Sequence, residues 1–179
     1  AATRFNGLMS GEYDFIVKAT DAYLGTLRSM PDITCYSMQT GMINLVWNKH
    51  STDKYLRLAF QALANADDLN TANYGSLYDN DPCFMEKSQP GWYTTKGEEF
   101  FCQNDPEKAK ELLSEAGYPD GFSTTLWVND NQSRIEMCQA IQAMLLDIGV
   151  QCSVEVLEFG SYISRTTAGE HDMAYFGWT

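Results

Sequence analysis

A chain of 179 residues with 44% apolar content can fill one core, or one core plus a loosely attached end, but not two full-sized domains. Twelve Lys and Arg against twenty-four Asp and Glu give a net charge of −12, which opposes binding to nucleic acid or to an anionic membrane surface. No apolar run reaches the roughly eighteen residues of a membrane span, and no basic segment leads into a short apolar core near Ala1, so neither a span nor a secretion signal is expected here.

The opening Arg4–Gly11 reads as the end of a helix stopped by glycine, and Tyr13–Val17 as a short apolar strand. Asp21–Met30 carries Tyr23, Leu24 and Leu27 on one side, with Pro31 beyond it, and predicts a helix. Ile33–Asn48 is rich in β-branched and aromatic residues but is broken by Gly41, which predicts two strands or one long bent strand. A helix is expected from Ser51 or Thr52 as N-cap, with Leu56, Ala59, Phe60 and Leu63 at helical spacing and Asp67–Tyr74 extending it or adding a turn.

From Gly75 to Asn104 the composition turns to Gly, Pro, Asp, Asn and aromatic residues without a clean period, the mark of a long surface excursion. Asp105-Pro106-Glu107 then starts the clearest helix, combining an N-cap acid, a proline at the first helical position and a second acid at the positive end of the helix dipole. Ala109, Leu112, Leu113 and Ala116 form its buried stripe, and Gly117 ends it. The alternation Phe122, Thr124, Leu126, Val128 predicts a half-buried strand.

A helix from about Gln132 places Ile135, Cys138, Ile141, Leu145 and Ile148 on one face, and Gly149 stops it. Val150–Leu157 follows as a strand, closing a strand-helix-strand unit with an expected right-handed crossover. Phe159–Ala168 is a short helix ended by Gly169, and Asp172–Trp178 is the last strand. The expected fold is α/β, with a mixed sheet flanked by helices.

Five cysteines without a C-x-x-C pair or a Cys/His cluster at zinc spacing argue against a structural metal site, and no cofactor is expected. A Cys83–Cys102 disulfide would restrict the unfolded loop; pairing and free thiols both stay open for these two. Cys138 and Cys152 occupy apolar positions and are expected to be buried and inert.

His50 and His171 are the histidines available for acid–base chemistry, and nothing in the sequence sets either beside a nucleophile and an orienting carboxylate. No G-x-S-x-G elbow, phosphate-binding G-x-x-x-x-G-K or H-E-x-x-H occurs, so no enzyme activity is expected. Asp14 and Asp172 read as polar strand entries, and His171 as exposed or hydrogen-bonded at its turn. Trp47, Trp92 and Trp127 read as core. Trp178, after Gly177 at the C-terminal end of the last strand, stands where ligands of α/β sheets gather.

Gly169-Glu170-His171-Asp172-Met173-Ala174-Tyr175-Phe176-Gly177-Trp178, preceded by Leu157-Glu158-Phe159-Gly160-Ser161-Tyr162, resembles the family 5 extracellular solute-binding proteins. In that family a strand ending in Glu-Trp leads to a short helix, then to Gly-x-x-Asp and a strand closing on Gly-Trp; here Phe159 stands in place of the usual tryptophan. Asp105-Pro106-Glu107-Lys108-Ala109-Lys110, Ala116-Gly117-Tyr118 and Gly11-Glu12-Tyr13-Asp14 are similar to further family motifs, and Val46-Trp47-Asn48 and Arg57-Leu58-Ala59 fit more loosely. Asn65 and Ala66 depart from the Asp and Arg common in the family.

The resemblance implies a non-catalytic, two-lobed binder that closes on a peptide-like solute and delivers it to ABC permease subunits. It implies an extracellular or periplasmic location, with lipid anchoring an option of the full-length protein. Residues 1–30 would belong to or border the first lobe, and 31–179 would form the second lobe up to the returning hinge strand. Trp178 and Phe159 would line the cleft and Arg165 would offer a charge contact, with the first lobe of the same protein as partner. The rival reading is an interaction domain that uses the 75–104 excursion.

Overall fold

The computed structural model describes residues 2–37, 42–74, 79–83, 85, 87 and 89–178, without the side chains of 21, 42, 72–74 and 178. The chain forms two compact units, Ala1–Thr40 and Gly41–Thr179.

In the first unit, helix α1 (Ala2–Met9) and helix α2 (Asp21–Arg28) are joined by a stacked pair, Phe5 and Tyr23, whose ring centres lie 4.3 Å apart. The end of α1 is fastened by the amides of Glu12 and Tyr13, which donate to the Gly7 carbonyl at 2.9 and 3.1 Å. Residues 13–17 form no strand, contrary to the sequence expectation, and Phe15 and Val17 are exposed. A strand is stabilised by the ladder it makes with a neighbour, and among the described residues this segment has none.

The second unit holds a four-stranded mixed sheet. Its strands are β1 (Met42–Trp47), β2 (Ser123–Asn129), β3 (Gln151–Leu157) and β4 (Met173–Trp178), in the order β1-β4-β2-β3. β4 runs parallel to β2 and β2 parallel to β3, while β1 pairs antiparallel to β4 from Met42 opposite Trp178 to Trp47 opposite Met173. Of the long stretch expected to be extended, Met42–Trp47 is strand and residues 33–37 are irregular.

Period-two alternation divides the sheet residues between two cores. Leu126, Val128, Met173 and Tyr175 face the larger one, built with α3 (Lys54–Leu63), α5 (Pro106–Glu115) and α6 (Gln132–Asp147). Their neighbours Trp127, Ala174 and Phe176 face the smaller one, covered by Tyr162 and Ile163 of α7 (Phe159–Thr167). The α6 face predicted from periodicity is the buried one: Cys138, Ile141, Leu145 and Ile148 all pack into the larger core. α4 (Ala66–Tyr74) starts after Asn65, whose side-chain oxygen accepts from the Asp68 amide at 3.1 Å.

Helix starts follow the cap chemistry with one shift. Asp105 accepts from the Lys108 amide at 2.9 Å as expected, but the cap of α3 is Asp53, accepting from the Tyr55 amide at 2.6 Å. Thr52 turns back to donate to the Asn48 carbonyl at 2.6 Å. Among the described residues of the 75–104 excursion a 3-10 turn occupies Glu98–Phe100, while 75–78, 84, 86 and 88 lie outside them. The chain returns along the end of α3, where the amides of Gln103, Asn104 and Asp105 donate to the carbonyls of Gln61, Ala64 and Ala62, satisfying acceptors a helix end leaves open.

All five cysteines are free thiols, so the Cys83–Cys102 disulfide is not formed. The Cys102 amide instead donates to the Gln61 side-chain oxygen at 3.2 Å. Burial pushes the Cys138 thiol up to about 12 and those of Cys102 and Cys152 to about 11, which keeps them protonated and unreactive. No described helix is long and apolar enough to cross a membrane.

Candidate functional site

Three parallel strands, β2, β4 and β3, end on the same edge of the sheet, and α6 and α7 begin there. This is the edge at which open α/β sheets hold ligands, because loops replace packed helices and helix N-termini point outward. Asn129 closes β2 opposite Leu157 at the end of β3. Beyond them stand Asp130, Asn131 and Arg134 on the α6 side, and Glu158 and Phe159 on the α7 side.

The two helix starts are finished differently. Glu158 folds its carboxylate over the first turn of α7, accepting from the Gly160 amide at 2.9 Å and the Ser161 amide at 3.0 Å. Those two bonds hold its carboxyl below its ordinary range. At α6 the cap is neutral: the Asn131 side-chain oxygen accepts from the Arg134 amide at 3.1 Å. The Arg134 side chain turns toward the strand end and donates from Nη1 to Asn129 Oδ1 at 3.0 Å. Burial raises the Cys138 thiol and the Tyr162 phenol, and the charge of Arg134 partly opposes it.

Of the residues singled out by sequence, Phe159 is the first residue of α7 and is 56% exposed on this edge. Trp178 is the last residue of β4, and its side chain lies outside what the structure describes. Arg165 stands elsewhere. It is six residues along α7, about 9 Å away on a helix rising 1.5 Å per residue, with Nε donating to Glu170 Oε2 at 2.8 Å and its guanidinium 4.3 Å from the Trp127 ring centre.

His171 lies toward the start of β4, at the opposite edge from the strand ends. It is 8% exposed rather than open at its turn, its ring is 6.2 Å from Trp127, and Nδ1 has no hydrogen-bond partner among the described residues. Burial lowers its pKa, partly opposed by Asp172. Asp172 itself is the polar strand entry expected, accepting from Thr124 Oγ1 at 3.2 Å. Trp127 is core, at 3% exposure, whereas Trp92 is 73% exposed.

The edge offers an exposed aromatic ring, Phe159, and a half-buried cation, Arg134. Among the described residues no three His, Cys, Asp or Glu side chains are grouped to hold a metal ion. Arg134 and Asn129 escaped the sequence reading because their pairing spans a strand-to-helix turn. One signal was present: a cation in the first turn of a helix opposes the helix dipole, so an arginine three residues after an Asn cap is an unfavourable placement that calls for a reason.

A family model described as "Bacterial extracellular solute-binding proteins, family 5 Middle" matches residues 1–179. The dipeptide-binding protein of Escherichia coli (strain K12) is 44% identical over 82 residues, a match that takes in 42% of this chain and 15% of that protein. The chain is also similar to the ABC transporter-associated periplasmic binding protein DppA from Helicobacter pylori, solved in complex with the peptide STSA. That similarity has 29% identity and a TM-score of 0.76, over 99% of this chain and 35% of that one. A dipeptide-binding protein from Pseudoalteromonas sp. SM9913, in complex with Met-Leu, shares the fold with a TM-score of 0.85 and 22% identity, over 99% of this chain and 36% of that one. The chain thus spans about a third of the length of these solved relatives.

Proposed function

The chain belongs to the family 5 bacterial extracellular solute-binding proteins, and from that premise we propose that it forms one wall of a cleft capturing a peptide-like solute for an ABC importer. The observation that carries the reading is the family match along all 179 residues, on a sheet whose parallel strands end at a single edge. A relative 29% identical binds a peptide, STSA. Peptide recognition of this kind relies on backbone pairing and roomy pockets, and the exposed ring of Phe159 offers this edge apolar surface for one.

In this proposal residues 31–179 are the second lobe, 1–30 border the first, and the two lobes close on the solute by hinge motion. Phe159 and Trp178 line the cleft. Arg165 belongs to the fold of α7 rather than to the cleft, because Glu170 and Trp127 already engage its guanidinium. The parent protein works outside the cytoplasmic membrane, extracellular or periplasmic, and hands its solute to permease subunits without catalysing a reaction.

Calorimetric titration of the intact protein with Ala-Leu, Gly-Gly-Leu and a tetrapeptide tests the reading. Saturable one-to-one binding of a peptide is expected. Saturable binding of a sugar or of Ni2+ with silence toward all the peptides would overturn the solute class.

A further inference from the structure

We propose that Trp127 and His171 share one buried water beneath α7, and that this bridge is a proton-sensitive lock, closed while the His171 ring is neutral and carries its proton on Nε2. It concerns the fold around α7 and does not depend on which solute the protein takes.

Trp127 sits in the middle of β2 and His171 in the turn before β4, with ring centres 6.2 Å apart and planes at 46°. Both are more than nine-tenths buried, at 3% and 8% exposure. Each buries one polar atom without a hydrogen-bond partner among the described residues, Nε1 of the indole and Nδ1 of the imidazole. Native interiors pair nearly all such atoms, often through an ordered water, because an unpaired one keeps the full cost of leaving solvent. The core around Trp127 is otherwise Tyr162, Ala174, Ile163, Leu157 and Phe176, and the Tyr162 hydroxyl already donates to the Tyr175 carbonyl at 2.9 Å. The two orphaned atoms are complementary. An indole N–H only donates, and an imidazole nitrogen accepts only while it carries no proton. A water between them accepts from Trp127 and donates to His171, which answers both atoms at once.

Protonation undoes the arrangement. With a proton on Nδ1 both rings donate, and the water keeps two hydrogens with only apolar neighbours to receive them. The charged groups around the ring come from several elements. Glu170 and Asp172 flank it in its own turn, and Asp172 favours the protonated form while burial, the larger effect, opposes it. From α7 comes Arg165, 4.3 Å from the centre of the Trp127 ring and paired with Glu170. After β1 the exposed Lys49 and His50 follow Asn48, whose amide and side chain donate to the carbonyls of Asp172 and Gly169. Tyr162 and Arg165 set α7 on Trp127, so opening the lock loosens that helix from the sheet.

The test is NMR of the intact protein with isotopically labelled histidine, the His171 signals being those that vanish in His171→Gln. At about pH 8, where an ordinary imidazole is neutral, the ring is expected as the Nε2–H tautomer with Nδ1 an unprotonated acceptor. Trp127→Phe keeps an aromatic ring and removes the donor. Its His171 should therefore take up a proton about 3- to 10-fold more readily than in wild type, the worth of one hydrogen bond. The amide signals of Tyr162 and Ile163 in α7 should move with the His171 midpoint in wild type. A neutral ring with its proton on Nδ1 overturns the inference, and so does one midpoint shared by wild type and Trp127→Phe. Signals of α7 that ignore the titration overturn the lock. If Trp127→Phe does not fold, the wild-type tautomer and the α7 signals decide.

Discussion

The guanidinium of Arg165 lies 4.3 Å from the centre of the Trp127 ring while its Nε donates to Glu170 at 2.8 Å, tying the end of α7 to the middle of β2 and to the turn before β4. A partly exposed cation–π contact contributes about 0.5–1 kcal/mol and an exposed ion pair about 0–1 kcal/mol. Arg165→Ala is therefore expected to lower the unfolding free energy by about 1 kcal/mol, read as a shift of the urea midpoint, and to leave solute affinity unchanged. A tenfold loss of affinity without that shift would return Arg165 to the cleft.

Gly121 and Gly149 pass close to one another beside the strand-helix-strand unit. Gly121 has φ +80°, and a Cβ there would meet the Gly149 carbonyl oxygen at 2.0 Å. Neither backbone can yield without moving the amide of Gln151, which donates to the Phe122 carbonyl at 2.8 Å as β3 starts. Gly121→Ala should cost more than about 2 kcal/mol, since positive φ and overlap add. Thermal melting checks this, and a variant that melts within a degree or two of wild type would contradict the packing described.

The buried His171 makes stability depend on pH. Burial lowers its folded pKa below the ordinary 6.5, with Asp172 acting the other way. The unfolded chain then binds the proton more readily, so the contribution is complete above about 6.5 and is lost as pH falls through the folded value. Trp127 lies beside the ring, 6.2 Å between centres. His171→Gln is expected to flatten the slope of stability just below pH 6.5, measured by urea unfolding at stepped pH. An unchanged slope would mean that His171 takes up its proton alike in the folded and the unfolded chain, against the burial described.

Glu158 acts in a lower window. The amides of Gly160 and Ser161 depress its pKa, so its cap is fully effective above the ordinary carboxylate value and weakens as pH falls through the folded one. Glu158→Gln should lower stability at pH 7 and remove part of the loss seen on acidification below about 4.3. Equal acid profiles for variant and wild type would show that the two amide bonds are not made.

Much of the second unit was legible because its signals are local. Asp105-Pro106, the α6 stripe and the alternation through Leu126 and Val128 each act within one or two turns of chain, and each element formed where expected. Tyr13–Val17 misled because a short apolar run does not supply the partner strand that a ladder needs. Arg165 shows the same for a long-range contact: only the fold brings Trp127, thirty-eight positions earlier, beneath its guanidinium. Arg134 was hidden for a similar reason, since its meaning lies in its bond to Asn129 across the turn.

The most direct measurement is a crystal structure of the intact protein with a bound peptide. The peptide is expected to lie against the strand ends of β2, β3 and β4, within contact of Phe159 and Trp178. A peptide seated at the opposite edge, beside Glu170 and His171, or on the 75–104 excursion alone, would contradict it.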